Sequence, residues 1–91
     1  MTIKLSTEAK EQLEWLLTYI EKRWSVRVRD NFILKLDRTL NVIRTHPESY
    51  PASTKFPDLR NCVITPQTVA FYRIKADCIE IAAIIDTRQD W

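Results

Sequence analysis

The chain has 91 residues, of which 45% are apolar and 29% are charged, and its formal net charge is +2 at pH 7. This length suits a single globular domain over residues 1–91, and the composition excludes a disordered chain. The net charge is too small to indicate a nucleic-acid partner by itself. Glycine is absent, which excludes the glycine-dependent phosphate loops of P-loop and dinucleotide-binding proteins.

The sequence indicates neither export nor a bound cofactor. No apolar run reaches the length needed to span a bilayer, and the N-terminal residues MTIK lack the apolar stretch of a secretory signal. We therefore expect a cytoplasmic protein that does not enter the membrane. Cys62 and Cys78 have no Cys or His at metal-ligand spacing, so we expect reduced, half-buried thiols, with no disulfide, metal or cofactor.

The first half of the chain predicts a short strand followed by two helices. Residues 3–5 read as the strand, and Ser6 is typical of a helix N-cap. Apolar residues then recur at intervals of three and four as far as Trp24, as on one face of an amphipathic helix of about five turns. Ser25 can cap a second helix, which ends before Pro47. Because the junction between the helices is tight, we expect an antiparallel helix hairpin.

The second half predicts a loop and then a sheet. Residues 46–58 are rich in proline and small polar residues, which is typical of a surface loop. Residues 59–65, 68–75 and 78–86 are rich in Val, Ile, Phe and Tyr and are joined by short connectors, so they predict a three-stranded antiparallel meander. The fold class is therefore α+β: an N-terminal strand, an antiparallel helix hairpin and the meander, with both helices on one face of the sheet.

Strict alternation of side chains assigns the residues of the last strand to the two faces of the sheet. The face predicted to lie beneath the helices carries Ile79, Ile81, Ala83 and Ile85. The opposite face carries Ile84, together with Phe71 of the middle strand. Because apolar and charged residues are mixed there, we expect a groove for a partner protein on that face.

Short motifs are spread over nearly the whole chain. A Ser-x-x-Ala opens the first helix, a Trp-Ser step joins the helices, and a Leu-x-x-x-Leu-x-x-Ile stripe before His-Pro closes the second. A Leu-Arg opens the second strand, Phe-Tyr-Arg-Ile forms the third, and the last motif is Ile-x-Asp-x-Arg-Gln-Asp. They stand at residues 6–9, 24–25, 36–47, 59–60, 71–74 and 84–90. In this order and spacing they resemble the RelE/ParE toxin superfamily.

The resemblance implies the toxin of a type II toxin–antitoxin module, neutralised by a cognate antitoxin in a hetero-oligomer. RelE-like members cleave messenger RNA on the ribosome, whereas ParE-like members poison DNA gyrase and have no hydrolytic site of their own. The motif Asp-Thr-Arg-Gln-Asp at residues 86–90 is similar to the ParE-like branch. A non-toxic binding module of the same fold is a third alternative.

The chemistry of RNA cleavage separates the two branches. It requires a base for the ribose 2′-hydroxyl, cations for the phosphorane and an acid for the leaving oxygen. No His or Tyr follows Arg88. The position early in the third strand at which the RNA-cleaving members are expected to carry an arginine corresponds to about Val69 in this chain. The only histidine, His46, is explained by the end of the second helix. We therefore favour a gyrase inhibitor that is not an enzyme; Arg60 and Arg88 are weak catalytic candidates if the chain is an endoribonuclease, because arginine stays protonated.

Two further sets of residues are candidates for contacts with other molecules, one set with the cellular target and one with the antitoxin. The candidates for binding the target are Arg60, Arg73, Arg88, Gln89 and Trp91. The candidates for contacting the antitoxin are Trp15, Tyr19, Phe71 and Ile84. A structural role is the alternative for the arginines, since Arg88 can pair with Asp86 or Asp90 and Arg73 can pair with Glu80.

Overall fold

The computed structural model describes residues 1–88. Its elements in chain order are β1 (Thr2–Leu5), α1 (Thr7–Arg23), α2 (Val26–Thr45), β2 (Arg60–Thr65), β3 (Thr68–Ile74) and β4 (Cys78–Asp86). The α+β class and the predicted order of elements are confirmed. Within residues 1–88 no helix is long and apolar enough to cross a membrane.

Serine side chains begin both helices, as the sequence predicts. Ser6 Oγ accepts a hydrogen bond from the backbone N–H of Ala9 at 3.0 Å, and Ser25 Oγ accepts one from Val28 at 3.2 Å. These bonds satisfy N–H groups that have no partner inside the helix. With a single residue, Trp24, between the end of α1 and the second cap, the chain reverses direction at once and the helices form the hairpin.

The sheet is mixed, with strand order β1-β4-β3-β2. β2, β3 and β4 form the predicted antiparallel meander. β1 runs parallel to β4, with Thr2 paired to Cys78 and Leu5 paired to Ile81. The helix hairpin and the following loop carry the chain from β1 to β2 at the far edge of the sheet.

The core lies between the helix hairpin and one face of the sheet. Leu16 and Ile20 of α1 pack with Phe32 and Leu36 of α2 above the strands. The remaining core members come mainly from the sheet: Cys62, Ile64, Ala70, Tyr72, Ile79, Ile81 and Ile84. Cys62 and Cys78 are free thiols, and the structure places both in the interior, whereas the sequence predicted that they would be half-buried.

A β-bulge in β4 changes which of its side chains face the helices. Ile81 and Ala83 pair with consecutive residues of β3, so Ala82 between them has no partner there. One extra residue reverses the alternation beyond it. Ile84 and Asp86 therefore point towards the helices, with exposed fractions of 2% and 1%. The predicted placement of Ile84 on the opposite face is wrong.

Helix α1 supplies hydrogen bonds to the bulged half of β4. β1 pairs only as far as Ile81, so the rest of β4 has no strand on that side. Ser6 Oγ donates to the carbonyl of Ala82 at 2.8 Å, and the N–H of Ile84 donates to Gln12 Oε1 at 2.7 Å. Unpaired buried backbone groups are costly, which accounts for the burial of the polar Gln12. These bonds fix the path of the chain towards Asp86 and Arg88.

Candidate functional site

Asp86 and Arg88 form a bidentate ion pair at the end of β4. Arg88 Nε donates to Asp86 Oδ1 at 2.7 Å and Arg88 Nη2 donates to Oδ2 at 2.6 Å, while the backbone N–H of Arg88 donates to Oδ1 at 2.9 Å. Thr68 Oγ1 also donates to Oδ2, at 2.5 Å. Burial favours the protonated acid, but the hydrogen bonds from Arg88 and Thr68 outweigh it and lower the pKa of Asp86. The carboxylate is therefore ionised at neutral pH and fixes the guanidinium.

The guanidinium of Arg88 also lies over two aromatic rings of the helix hairpin. Its Cζ is 5.7 Å from the ring centroid of Tyr19 and 5.4 Å from that of Trp24. Tyr19 stacks on Trp15 with centroids 5.1 Å apart, and it meets Trp24 edge-on at 6.0 Å. We call Trp15, Tyr19 and Trp24 the aromatic row. Arg88 thus connects a buried carboxylate of the sheet to a partly exposed row of rings, with cation–π contacts of about 0.5–1 kcal/mol each.

Arg88 also borders an open cleft of about 470 Å³ between the helix hairpin and the β2–β3 turn. We call it the hairpin cleft. Its lining comprises Ile20, Trp24, Val28, Asn31, Phe32, Lys35, Thr65, Gln67 and Arg88. Trp24 and Val28 are 48% and 41% exposed. Large apolar side chains are therefore open to solvent at one end of the molecule, beside two cations.

Arg60 holds the loop of residues 46–58 against the sheet. Its Nη1 donates to the carbonyl oxygens of Glu48 at 3.2 Å and Tyr50 at 2.6 Å. Tyr72 reinforces the same loop, since its hydroxyl donates to the carbonyl of Pro47 at 2.6 Å. The contacts of Arg60 are thus those of a loop anchor.

Arg73 lies in surface ion pairs on the sheet face away from the helices. It is 3.6 Å from both Asp58 and Glu80, which confirms the predicted pairing with Glu80. Exposed pairs of this kind contribute little to stability. Arg60 lies beside one end of β3, whereas the carboxylate that holds Arg88 is bonded to Thr68 at the other end. The structure therefore does not bring the three arginines to one surface.

The remaining candidates are divided between the core, the surface and the undescribed end of the chain. Phe71 is 7% exposed on the face away from the helices, where the ring of Phe56 covers it edge-on at 5.2 Å. The open groove predicted around Phe71 and Ile84 is therefore not formed, because Phe56 fills one part and the bulge moves Ile84 to the core. Trp15 and Tyr19 lie at the surface in the aromatic row. Gln89 and Trp91 lie outside the described residues.

Within residues 1–88, the ionisable groups with shifted pKa values are poor bases. Burial raises the pKa of Tyr72, of Tyr50 and of the Cys62 thiol, so these groups stay protonated at neutral pH. His46 is exposed at the end of α2, with its ring nitrogen 3.0 Å from the hydroxyl of Thr45. No three His, Cys, Asp or Glu side chains in this part of the chain are placed to hold a metal ion.

Sequence reasoning missed the contributions of Trp24, Lys35 and Thr68 to this region. Helical spacing assigns Trp24 to the apolar stripe of α1, but as the C-cap residue it leaves that stripe and projects into solvent. The positions of Val28, Phe32 and Lys35, which follow each other at intervals of four and three, do indicate a common face of α2. Thr68 reaches Asp86 only because of the bulge, for which the local sequence carries no signal.

Comparison with known proteins gives a family match over almost the whole chain. The family described as the ParE toxin of the type II toxin–antitoxin system, parDE, matches residues 3–91. No curated protein matches the chain in sequence.

Solved structures share the fold at low sequence identity. The chromosomal ParDE toxin–antitoxin system from P. aeruginosa has a TM-score of 0.80 at 14% identity, over 94% of this chain and 95% of that chain. The YoeB/ParE toxin from Agrobacterium tumefaciens has a TM-score of 0.68 at 13% identity, over 94% and 98%. The DinJ–YafQ complex from E. coli gives a TM-score of 0.62 at 11% identity, over 94% and 92%. At these identities the structural matches establish the fold.

Proposed function

The chain belongs to the ParE toxin family of type II toxin–antitoxin systems, and we propose that it acts by binding and inhibiting DNA gyrase and is neutralised by an antitoxin. The antitoxin is supported by the family itself and by the similarity to a toxin chain solved in the DinJ–YafQ complex. The choice of gyrase over messenger RNA is supported by the surroundings of the arginines.

The observation that carries the proposal is that both arginines on which RNA cleavage would depend are bonded to groups of the chain itself. Arg60 is held by two loop carbonyls, and Arg88 is held by the Asp86 carboxylate. A cation that stabilises a phosphorane must direct its donors at the phosphate and must carry a charge that no carboxylate of the chain already offsets. In addition, the pKa values of Tyr50, Tyr72 and Cys62 are raised, which makes them unsuited to activate a ribose hydroxyl at neutral pH.

The roles of the candidate residues follow from their positions. Arg60 holds the loop of residues 46–58 against the sheet, and Arg73 forms ion pairs on the sheet surface. Arg88 provides the contact with gyrase, because the Asp86 pair holds its guanidinium over the partly exposed rings of Tyr19 and Trp24; Gln89 and Trp91 are kept as contacts on the ground of the sequence alone. Binding of a protein target through a fixed arginine and aromatic side chains agrees with the residue types that dominate protein interfaces.

The test is expression of the chain without an antitoxin, combined with purified gyrase assays. We expect growth arrest, plasmid linearised in gyrase-trapped complexes and intact messenger RNA. The purified chain is expected to block supercoiling by gyrase in the absence of ribosomes. Cleaved messenger RNA with intact plasmid would contradict the proposal, and unimpaired growth with soluble, folded protein would favour the non-toxic binding module.

Two matched variants sharpen the distinction. Arg60→Ala removes the cation that a nuclease would need, whereas Arg38→Ala removes an exposed cation of α2. We expect both variants, once shown to be folded by circular dichroism, to retain gyrase inhibition. Loss of toxicity in Arg60→Ala alone, with messenger RNA spared from cleavage, is the result expected of a ribonuclease.

A further inference from the structure

Helix α1 has an exposed surface on its side away from the core. Five residues at intervals of three and four form this surface, and we call them the α1 stripe: Glu8, Glu11, Trp15, Thr18 and Lys22. All five are exposed, whereas Leu16 and Ile20 of the same helix are buried in the core. The stripe therefore takes no part in the packing of the domain, and its spacing is that of a surface that packs against another helix.

The charges of the α1 stripe are arranged symmetrically about Trp15. Glu8 precedes Trp15 by seven residues and Lys22 follows it by seven, so each charged residue lies about 10 Å from the tryptophan along the helix. Neither Glu8 nor Lys22 takes part in the ion pairs that the structure shows within residues 1–88. An occupant with the opposite charges at the same spacing would complement the stripe.

A second copy of α1, running in the antiparallel direction, has this arrangement of charges. A twofold axis at Trp15 brings Glu8 of each copy opposite Lys22 of the other, with the two Trp15 rings together at the centre. Glu11 then comes opposite Tyr19, whose hydroxyl can donate a hydrogen bond to the carboxylate. Because the same surface is used by both copies, the contact closes at a dimer.

The surface beside Trp15 is concave towards the end of α1. A depression of about 490 Å³ is lined by Trp15, Thr18, Tyr19, Lys22 and Arg23. Trp15 is 37% exposed and stacks on Tyr19, so its ring is held in one orientation at this depression. The twofold axis brings Trp15 of the second copy to the same place, and large aromatic side chains of this kind anchor protein interfaces.

We propose that two copies of the chain associate through antiparallel α1 helices, with the Trp15 rings at the twofold axis and a Glu8–Lys22 ion pair at each end. The 17 residues of α1 extend over about 25 Å, so one face of the helix covers on the order of 300 Å² of each copy. Stable dimers bury about 800 Å² per copy. The association is therefore weak, with a Kd on the order of 100 μM, and it does not depend on the identity of the cellular target.

Charge reversal tests the twofold arrangement. Association of the whole chain is measured by sedimentation equilibrium between about 10 and 500 μM. Glu8→Lys puts like charges opposite each other at both ends of the interface, and so does Lys22→Glu, so we expect each variant alone to associate at least about tenfold more weakly than wild type. A mixture of the two variants has opposite charges at both ends again, and we expect it to form a mixed dimer with an affinity close to that of wild type.

Further variants locate the contact on α1. Trp15→Ala removes the central ring and should weaken association at least about tenfold. Leu34→Ala removes an exposed apolar side chain of α2 and is the matched control, with unchanged association. Lys10→Glu reverses an exposed charge of α1 outside the stripe and is the control for the charge reversals. Circular dichroism verifies that each variant is folded.

Three results would overturn the inference. One is a folded wild-type chain that stays monomeric up to about 1 mM; loss of gyrase inhibition by Trp15→Ala in such a monomer would assign the stripe to the target instead. Another is a mixture of Glu8→Lys and Lys22→Glu that associates no better than either variant alone. The third is a dimer that Trp15→Ala leaves intact, since the two copies would then meet at a different surface.

Discussion

Asp86 holds the guanidinium of Arg88, two residues later in the chain, over the rings of Tyr19 and Trp24. The two residues sit at the point where β4 ends, so their pairing joins the sheet to the helix hairpin. Thr68 completes the arrangement by donating to the same carboxylate. The position of Arg88 at the hairpin cleft therefore depends on a residue that is itself hidden from solvent.

Replacing Asp86 by Asn should destabilise the fold at neutral pH. The substitution leaves the guanidinium without its anionic partner. Removing one partner of a buried ion pair costs about 3 kcal/mol of unfolding free energy. The pKa of Asp86 is lowered by folding, so its stabilising contribution is present above the pKa of the unfolded chain and is lost as pH falls towards the lower folded value. The free energy of unfolding in urea should thus differ most between wild type and variant at pH 7, and the difference should shrink below about pH 4.

A double-mutant cycle provides the control for this prediction. Arg88→Gln should cost much less in a chain that already carries Asp86→Asn than in the wild type, because the two substitutions remove the same interaction. Additive costs, or a difference between wild type and Asp86→Asn that is the same at pH 3 and pH 7, would show that the ion pair does not contribute as the structure indicates.

Replacing Arg60 by Ala should release the loop of residues 46–58. The variant loses two hydrogen bonds to loop carbonyls, with an expected cost of about 1–3 kcal/mol because the donor is charged. We expect limited trypsin digestion to cut faster after Lys55, which lies exposed in this loop. Arg38→Ala removes an exposed cation of α2, away from the loop, and serves as the matched control, with unchanged cleavage at Lys55. Equal cleavage rates in wild type and Arg60→Ala would rule out the anchoring role.

The local signals in the sequence were sufficient for the order and the ends of the elements. Ser6 and Ser25 mark the helix starts because a serine side chain can satisfy N–H groups that the helix leaves unpaired, and this depends only on neighbouring residues. The loop before β2 was likewise readable from its prolines. The parallel pairing of β1 with β4 had no such signal, since it joins residues more than seventy positions apart.

The candidate site was harder to predict from the sequence than the fold. It depends on a single residue of β4, Ala82, that has no pairing partner in β3. Alternation is a sound rule until a bulge interrupts it, and nothing in the run Ile81–Ile84 distinguishes Ala82 from its neighbours. The bulge moves Ile84 to the core and brings Asp86 to Thr68. As a result, the predicted groove on the far side of the sheet is absent, and the open cleft lies instead at the helix hairpin.

The two cysteines should be almost unreactive in the folded chain. Cys62 and Cys78 are buried, and burial raises the pKa of the Cys62 thiol, which lowers the fraction of reactive thiolate. We expect a thiol reagent such as Ellman's reagent to modify both cysteines at least about a hundredfold more slowly in buffer than in urea. A single thiol reacting quickly in buffer would place that residue at the surface, and absence of reaction even in urea would indicate a disulfide.

Alanine substitutions at Ile84 and Ile85 test the bulge directly. Ile84 lies in the core beneath the helices, so Ile84→Ala should cost about 2–5 kcal/mol of unfolding free energy. Ile85 lies on the opposite face and is only partly buried, so Ile85→Ala should cost about 1 kcal/mol or less. Because strict alternation predicts the reverse order, urea unfolding of the two variants distinguishes a bulged β4 from a regular one.

Gln12→Leu adds an independent check, since it removes the acceptor for the N–H of Ile84 and should destabilise the bulged strand by about 1–3 kcal/mol despite the greater hydrophobicity of leucine.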